Sequence, residues 1–201
     1  MSRRGALFAL VVLAAAWPLW LHAQRDSKPH AIVFDGSSSI EYWDIKASFP
    51  DLDAVNEGIG GTEITDSIKT EEKNVIAHHP RIVVFYSGDN DIGGGVAPKD
   101  VAAHFDQYAA KLHAALPQTK LVVISIKPSL ARWSVAKPMR EANALIQQHI
   151  KASPWIEFVD IQDQMLGADG KPRRELFVAD GLHMTPAGYK IWAAAVRPHL
   201  N

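Results

Sequence analysis

Ile82-Val83-Val84-Phe85-Tyr86-Ser87-Gly88-Asp89-Asn90-Asp91 is the stretch on which the fold turns. Its first five residues are apolar, mostly β-branched or aromatic, and they stop at Ser-Gly. An unbroken apolar run of this length reads as a strand covered on both faces, because a strand with one wet face alternates apolar and polar residues. Similar runs lie on either side. Ala31 to Phe34 ends at Asp35-Gly36, and a weaker run, Leu52 to Val55, ends at Asn56. Leu121 to Ile126 ends at Lys127-Pro128, and Ile156 to Ile161 is the last. Helical periodicity fills the gaps. Val101, Phe105, Tyr108, Leu112 and Leu116 recur at three- and four-residue steps, as do Ala142, Leu145, Ile146, His149 and Ile150. A final helix is expected to open at Pro186, with Thr185 as its cap and Tyr189, Ile191, Trp192 and Val196 along it. Strand alternating with helix predicts an α/β doubly wound domain. The expected sheet is mostly parallel, about five-stranded and flavodoxin-like in order.

The chain has 201 residues, enough for one domain and a short appendage. Hydrophobic residues make up 47% and charged residues 21%, so it can bury a core and is neither disordered nor collagen-like. Lys and Arg number 21 against 22 Asp and Glu, a net charge of −1 that argues against nucleic acid as a partner. Cysteine is absent, which excludes a disulfide scaffold, thiolate metal sites, a Cys nucleophile and lipid attachment through Cys.

Residues 1–25 read differently from the rest. Arg3 and Arg4 precede an apolar run from Ala6 to Leu21, broken by Pro18, and a small residue, Ala23, precedes Gln24 and Arg25. This is the pattern of a signal peptide or an N-terminal membrane anchor. The run is short for a spanning helix, which needs about 20 residues. The expected division is residues 1–25 as the export segment and 26–201 as the domain. The domain is expected to be exported, periplasmic or secreted, with any membrane association made through the N-terminal segment.

In an open parallel sheet, ligands bind outside the carboxyl ends of the strands. The glycine-rich and polar segments of this chain fall at those ends. They include Asp35-Gly36-Ser37-Ser38-Ser39, Asn56-Glu57-Gly58-Ile59-Gly60-Gly61-Thr62, Ser87-Gly88-Asp89-Asn90-Asp91, Lys127-Pro128-Ser129 and, past the last strand, Ala179-Asp180-Gly181-Leu182-His183-Met184-Thr185. A serine at a strand-to-helix turn can act as a nucleophile if a base reaches it. His183 is the candidate base, and Asp180 can reach back to hold its imidazole. Gly61 can offer a backbone N–H, and Asn90 a side-chain amide, to a developing oxyanion. Each part also has an ordinary structural reading. The serines can cap a helix, the glycines can serve turns, and Asp180 with His183 can form a surface turn or a metal pair. Asp89 and Asp91 are expected to make a turn and structural hydrogen bonds rather than a cation site. His78 and His79 read as solvent-facing residues at a helix end. Trp43, Trp133 and Trp155 read as core or rim packing, with Trp133 nearest the mouth. No Gly-x-Ser-x-Gly elbow is present, since position 40 is Ile, and no P-loop fits.

From about Ala31 to Leu200 the sequence resembles the SGNH hydrolases, the GDSL esterase/lipase family. The family's Gly-Asp-Ser block corresponds to Gly36-Ser37-Ser38, with Ser37 in place of the aspartate. Its second block corresponds to Asn56 through Gly61, its Gly-x-Asn-Asp to Gly88 through Asp91, and its Asp-x-x-His to Asp180 through His183. The Lys127-Pro128-Ser129 and Arg132 segment is similar to one in an exported, lysophospholipase-like branch. The resemblance implies a three-layer α/β/α sandwich and hydrolysis of esters or thioesters without a metal or other cofactor. It implies Ser38 as nucleophile, His183 as base, Asp180 as its orienting acid, and Gly61, Asn90 and the Ser38 N–H as oxyanion donors. The substrate would be a small-molecule ester, with a short acyl chain, an acetylated sugar or a lysophospholipid as the choices. The competing expectation is an exported, non-catalytic binding or envelope-assembly protein that keeps the fold.

Overall fold

The computed structural model describes residues 30–201. The expected export segment, residues 1–25, lies outside the described residues. No helix among the described residues is long and apolar enough to cross a membrane.

Five strands form one sheet: β1 (Ile32–Gly36), β2 (Ala54–Asn56), β3 (Ile82–Tyr86), β4 (Lys120–Ile124) and β5 (Ile156–Val159). Their order is β2-β1-β3-β4-β5 and every pairing is parallel. This is the flavodoxin-like order expected from the sequence. The helices are α1 (Ser38–Glu41), α2 (Ile45–Ser48), α3 (Ile64–Asn74), α4 (Asp89–Gly93), α5 (Pro98–Ala115), α6 (Ala136–His149) and α7 (Pro186–Val196).

Alternation along each strand divides the core in two. Ile32, Phe34, Ile82, Val84, Tyr86, Val122 and Ile124 pack with Trp43, Phe49, Trp192 and Val196 on the side of α2 and α7. Val33, Val83, Phe85, Leu121 and Val123 pack with Ile64, Phe105, Tyr108, Leu112 and Ile146 on the side of α3, α5 and α6. A strand sandwiched this way needs an apolar residue at every position, which accounts for the continuous runs. The architecture is the three-layer α/β/α sandwich.

The boundaries differ from expectation where turns or side chains compete for the ladder. The β2 strand starts at Ala54 rather than Leu52, because Leu52 N–H donates instead to Phe49 C=O at 3.1 Å, closing the turn after α2. The β4 strand stops at Ile124, not Ile126. Asn143 of α6 takes over there, donating to Ile126 C=O at 3.0 Å and accepting from Ile126 N–H at 2.8 Å. The β5 strand ends at Val159, not Ile161, whose N–H donates to the Ser125 hydroxyl at 3.1 Å. Thr185 occupies the N-cap position of α7, but its hydroxyl does not cap. It donates to Glu175 C=O at 2.9 Å, tying the helix start to the preceding turn. His78 is not solvent-facing. The chain turns inward after α3, burying His78 with its Nε2 3.4 Å from Glu57 Oε1, while His79 stays exposed.

Glu71 on α3 is closed off from solvent, with Lys111 Nζ of α5 at 3.7 Å. Burial pushes its carboxyl up to about 8; Lys111 opposes this and the Asp35 charge adds to it. The folded protein therefore holds a proton on Glu71 that the unfolded chain releases near its ordinary value of 4.5. Glu71 thus contributes most stability below that value, and the contribution is lost as pH rises toward 8. Glu71→Gln removes the titration. Relative to wild type, its Tm is expected to rise between pH 5 and pH 8 by on the order of a few degrees, read by scanning calorimetry. An unchanged Tm difference at the two pH values would refute this account.

Candidate active site

The β1 strand ends in a turn that only glycine can make. Gly36 has φ +142°, and a Cβ there would lie 1.8 Å from Tyr86 C=O on the neighbouring strand. Ser37 N–H donates to that same oxygen at 3.0 Å, and the chain then turns into α1. The three serines that follow Gly36 part company. Ser37 is buried, and Ser39 is buried with its hydroxyl accepting from Lys127 Nζ at 2.9 Å. Ser38 alone faces a histidine, with its Oγ 3.0 Å from His183 Nε2 across 145 positions of chain. The Ser38 backbone N–H, in the first turn of α1, has no acceptor among the described residues.

His183 sits in a turn held by Asp180. One Asp180 oxygen, Oδ1, accepts from Leu182 N–H at 2.8 Å and His183 N–H at 3.0 Å; the other, Oδ2, lies 2.6 Å from His183 Nδ1. Partial burial opposes the Asp180 charge. The Leu182 N–H and the His183 ring and N–H outweigh it and hold the carboxyl down at about 2. An ionised carboxylate only accepts, so Nδ1 carries the proton and Nε2 presents its lone pair to Ser38. Tyr42, 58% exposed, stands edge-on to the imidazole with ring centroids 4.9 Å apart.

The second loop is laced to the first. Asn56 donates to Ile40 C=O at 2.6 Å and Trp43 C=O at 3.0 Å, and accepts from Gly58 N–H at 3.0 Å. Ile59 N–H donates to Gly36 C=O at 2.8 Å. Gly61 follows, exposed, and its N–H has no acceptor among the described residues. Asn90, at the start of α4, reaches the same loop by donating from Nδ2 to Thr62 C=O at 2.8 Å. The loops carrying Ser38, Gly61 and Asn90 are therefore joined by direct hydrogen bonds, and His183 and Asp180 complete the group. Ser38, His183 and Asp180 are joined in line by hydrogen bonds, and Gly61 and Asn90 belong to loops tied to one another through Thr62 and to the Ser38 turn through Asn56 and Ile59.

Asp89 and Asp91 do the structural work expected of them. Asp91 is buried and accepts from Ile64 N–H at 3.3 Å at the start of α3; burial first, against that bond, leaves its carboxyl raised to about 6. Asp89 is buried against two cations. Its Oδ2 lies 2.9 Å from Lys127 Nζ and 3.1 Å from Arg132 Nη1. Burial would raise its carboxyl, but Lys127 and Arg132 reverse the direction and hold it below the usual carboxylate range. Lys127 is fully buried and also donates to Tyr86 OH at 3.1 Å. Arg132 Nη2 donates to Asn90 Oδ1 at 2.7 Å. The Lys127-Pro128-Ser129 and Arg132 segment carried no role in the sequence reading. The available signal was a lysine at a strand's carboxyl end, where the other strands place their chemistry-bearing residues.

The comparisons fit this geometry. Residues 39–191 match the GDSL-like lipase/acylhydrolase family. No curated protein matches the chain. Among solved structures, a Streptococcus pneumonia protein named for platelet activating factor is 23% identical, with TM-score 0.79 over 86% of this chain and 84% of the other. A GDSL-like lipase from Bacteroides thetaiotaomicron is 22% identical, with TM-score 0.74 over 87% of each chain. The acetyl-xylooligosaccharide esterase Axe2 of Geobacillus, as a mutant, is 17% identical, with TM-score 0.69 over 87% of this chain and 95% of the other. At these identities the structural likeness speaks for the fold, and the family match speaks for the chemistry. The chain belongs to the GDSL-like lipase/acylhydrolase family, the SGNH hydrolases, and is a carboxylic ester hydrolase.

Proposed function

We propose that the chain hydrolyses carboxylic esters, and thioesters by the same route, through an acyl-enzyme on Ser38. The observation that carries the proposal is the hydrogen-bonded line Ser38 Oγ, His183 Nε2, His183 Nδ1, Asp180 Oδ2, with spacings of 3.0 and 2.6 Å at its two joints. His183 Nε2 takes the hydroxyl proton as Ser38 Oγ bonds to the acyl carbon, and the carbonyl electron pair moves onto oxygen. The N–H groups of Ser38 and Gly61 and the Asn90 amide receive that oxyanion. The carbonyl reforms, the bond to the alcohol breaks, and the alcohol leaves with the proton from His183. Water then loses a proton to His183 and attacks the acyl-enzyme, and Ser38 leaves with the proton returned. Asp180 holds the imidazole tautomer and stabilises the imidazolium that forms at each stage.

The substrate is a small-molecule ester. A short acyl ester, an acetylated sugar ester and a lysophospholipid remain the candidate substrates. The Arg3, Arg4 and Ala6 to Leu21 segment supports export, to the periplasm or beyond. A non-catalytic binding role loses support because nucleophile, base and orienting acid are already in hydrogen-bond reach.

A serine-directed fluorophosphonate tests the proposal. The expected result is one covalent adduct, mapped to Ser38 by peptide mass spectrometry. Folded protein that takes no adduct, or takes it on Ser37 or Ser39, would overturn it. An ester panel from acetyl to palmitoyl, on sugar, lipid and thiol leaving groups, reads out the acyl and leaving-group preference.

A further inference from the structure

We propose that Arg132 is a positioning residue for the oxyanion donor, gripping the Asn90 carbonyl oxygen so that the amide N–H faces the reacting acyl group. The inference rests on the acyl-enzyme reading above and deepens it. An asparagine amide can sit either way round, and only one orientation places N–H groups toward the substrate. Here both ends are read by partners that accept no alternative. Arg132 Nη2 is a pure donor and lies 2.7 Å from Oδ1, while Thr62 C=O is a pure acceptor and lies 2.8 Å from Nδ2. A flip would set donor against donor and acceptor against acceptor. Thr62 takes one Nδ2 hydrogen and leaves the other for the oxyanion.

Arg132 is itself held. Its Nη1 lies 3.1 Å from Asp89 Oδ2 as an ion pair without hydrogen-bond geometry, so the guanidinium pairs with Asp89 while Nη2 donates to Asn90, the next residue at the start of α4. Gly93, one turn further along α4, lets the guanidinium lie against the helix, since a Cβ there would come within 2.8 Å of Arg132 Nε. The charge matters as well as the shape. Lys127 and Arg132 share the single Asp89 carboxylate, leaving one net positive charge in a mostly buried cluster behind Asn90. A cation on Oδ1 polarises the amide and strengthens its N–H as a donor to developing negative charge. Lysine has a compact ammonium in place of the fork and cannot bridge both partners in this geometry.

The test is a double-mutant cycle on turnover of an activated acetyl ester, with Tm measured alongside. Asn90→Ala alone is expected to lower kcat by on the order of 10²–10³-fold. Arg132→Met in the wild-type background should lower kcat by less than that, about ten- to a hundredfold, with KM little changed. In the Asn90→Ala background the same Arg132→Met change should cost almost nothing, because the group it acts through is gone. Arg132→Lys carries the same comparison if Arg132→Met does not fold, since it keeps a charge against Asp89. Equal losses in both backgrounds, or a loss confined to KM, overturn the role of Arg132 and leave the Ser38 reading intact. A Ser38→Ala protein that keeps kcat close to wild type, with a normal acyl-enzyme burst, would overturn both.

Discussion

Ser38→Ala is expected to lower kcat for an activated acetyl ester by on the order of 10⁶-fold, with the fold retained. The size follows from what the hydroxyl does. Without it there is no acyl-enzyme, and a water would have to attack without being held by the machinery built for Ser38. Binding and the oxyanion donors survive, so residual rate above the uncatalysed reaction should remain. The structural cost is small, because the Ser38 hydroxyl bonds to the His183 ring rather than to a group in the core. Neighbouring serines provide the control. Ser39 accepts from buried Lys127 at 2.9 Å, so Ser39→Ala leaves a charged donor short of a partner and should act on Tm more than on the covalent step. The measurements are kcat, burst amplitude and Tm for both variants. A Ser38→Ala protein with a normal burst would place the nucleophile elsewhere.

Asp89→Ala is expected to destabilise the domain by about 3–5 kcal/mol, the cost of stranding a buried charge. For a domain of this length that lowers Tm by roughly 6–20 °C. The reasoning starts from Lys127, whose side chain has no solvent exposure. Its ammonium donates to Ser39, Tyr86 OH and Asp89 at 2.9, 3.1 and 2.9 Å, which uses all three of its protons. Two of those acceptors are neutral, and only Asp89 balances the charge. Lys127→Met is expected to cost less, because Asp89 then keeps Arg132 as its partner at 3.1 Å. The order of the two Tm values, Asp89→Ala below Lys127→Met, is the discriminating result. Equal losses would mean that the pair contributes through packing, with charge balance playing no part.

Much of the fold was legible because strand and helix periods are local. The run Ile82–Tyr86 is a strand with the same limits in the sequence and in the structure. The ends of β4 and β5 were not, because Asn143 and Ser125 take backbone groups that the apolar pattern assigns to the ladder. Thr185 shows the same limit on a smaller scale. A threonine before Pro186 has the chemistry of a cap, yet Glu175, ten residues earlier in the chain, offers its hydroxyl a carbonyl. His78 reads as exposed beside Pro80 until the inward turn after α3 buries it near Glu57. Lys127 is the largest case. Its place at a strand's carboxyl end is legible locally, but its partners, 88, 41 and 38 positions away, are not.

By itself, the sequence determined the alternation of strand and helix and the kinds of chemistry available at the strand ends. Periodicity and turn residues act over a few neighbours, so they survive without knowledge of the rest of the chain. The resemblance singled out Ser38 among three adjacent serines, but only the tertiary structure brought its hydroxyl to His183 and decided which way the Asn90 amide points and which cation stands behind it. Those contacts join residues tens to more than a hundred positions apart. They exist only once the order and register of the sheet bring the strand ends to one rim.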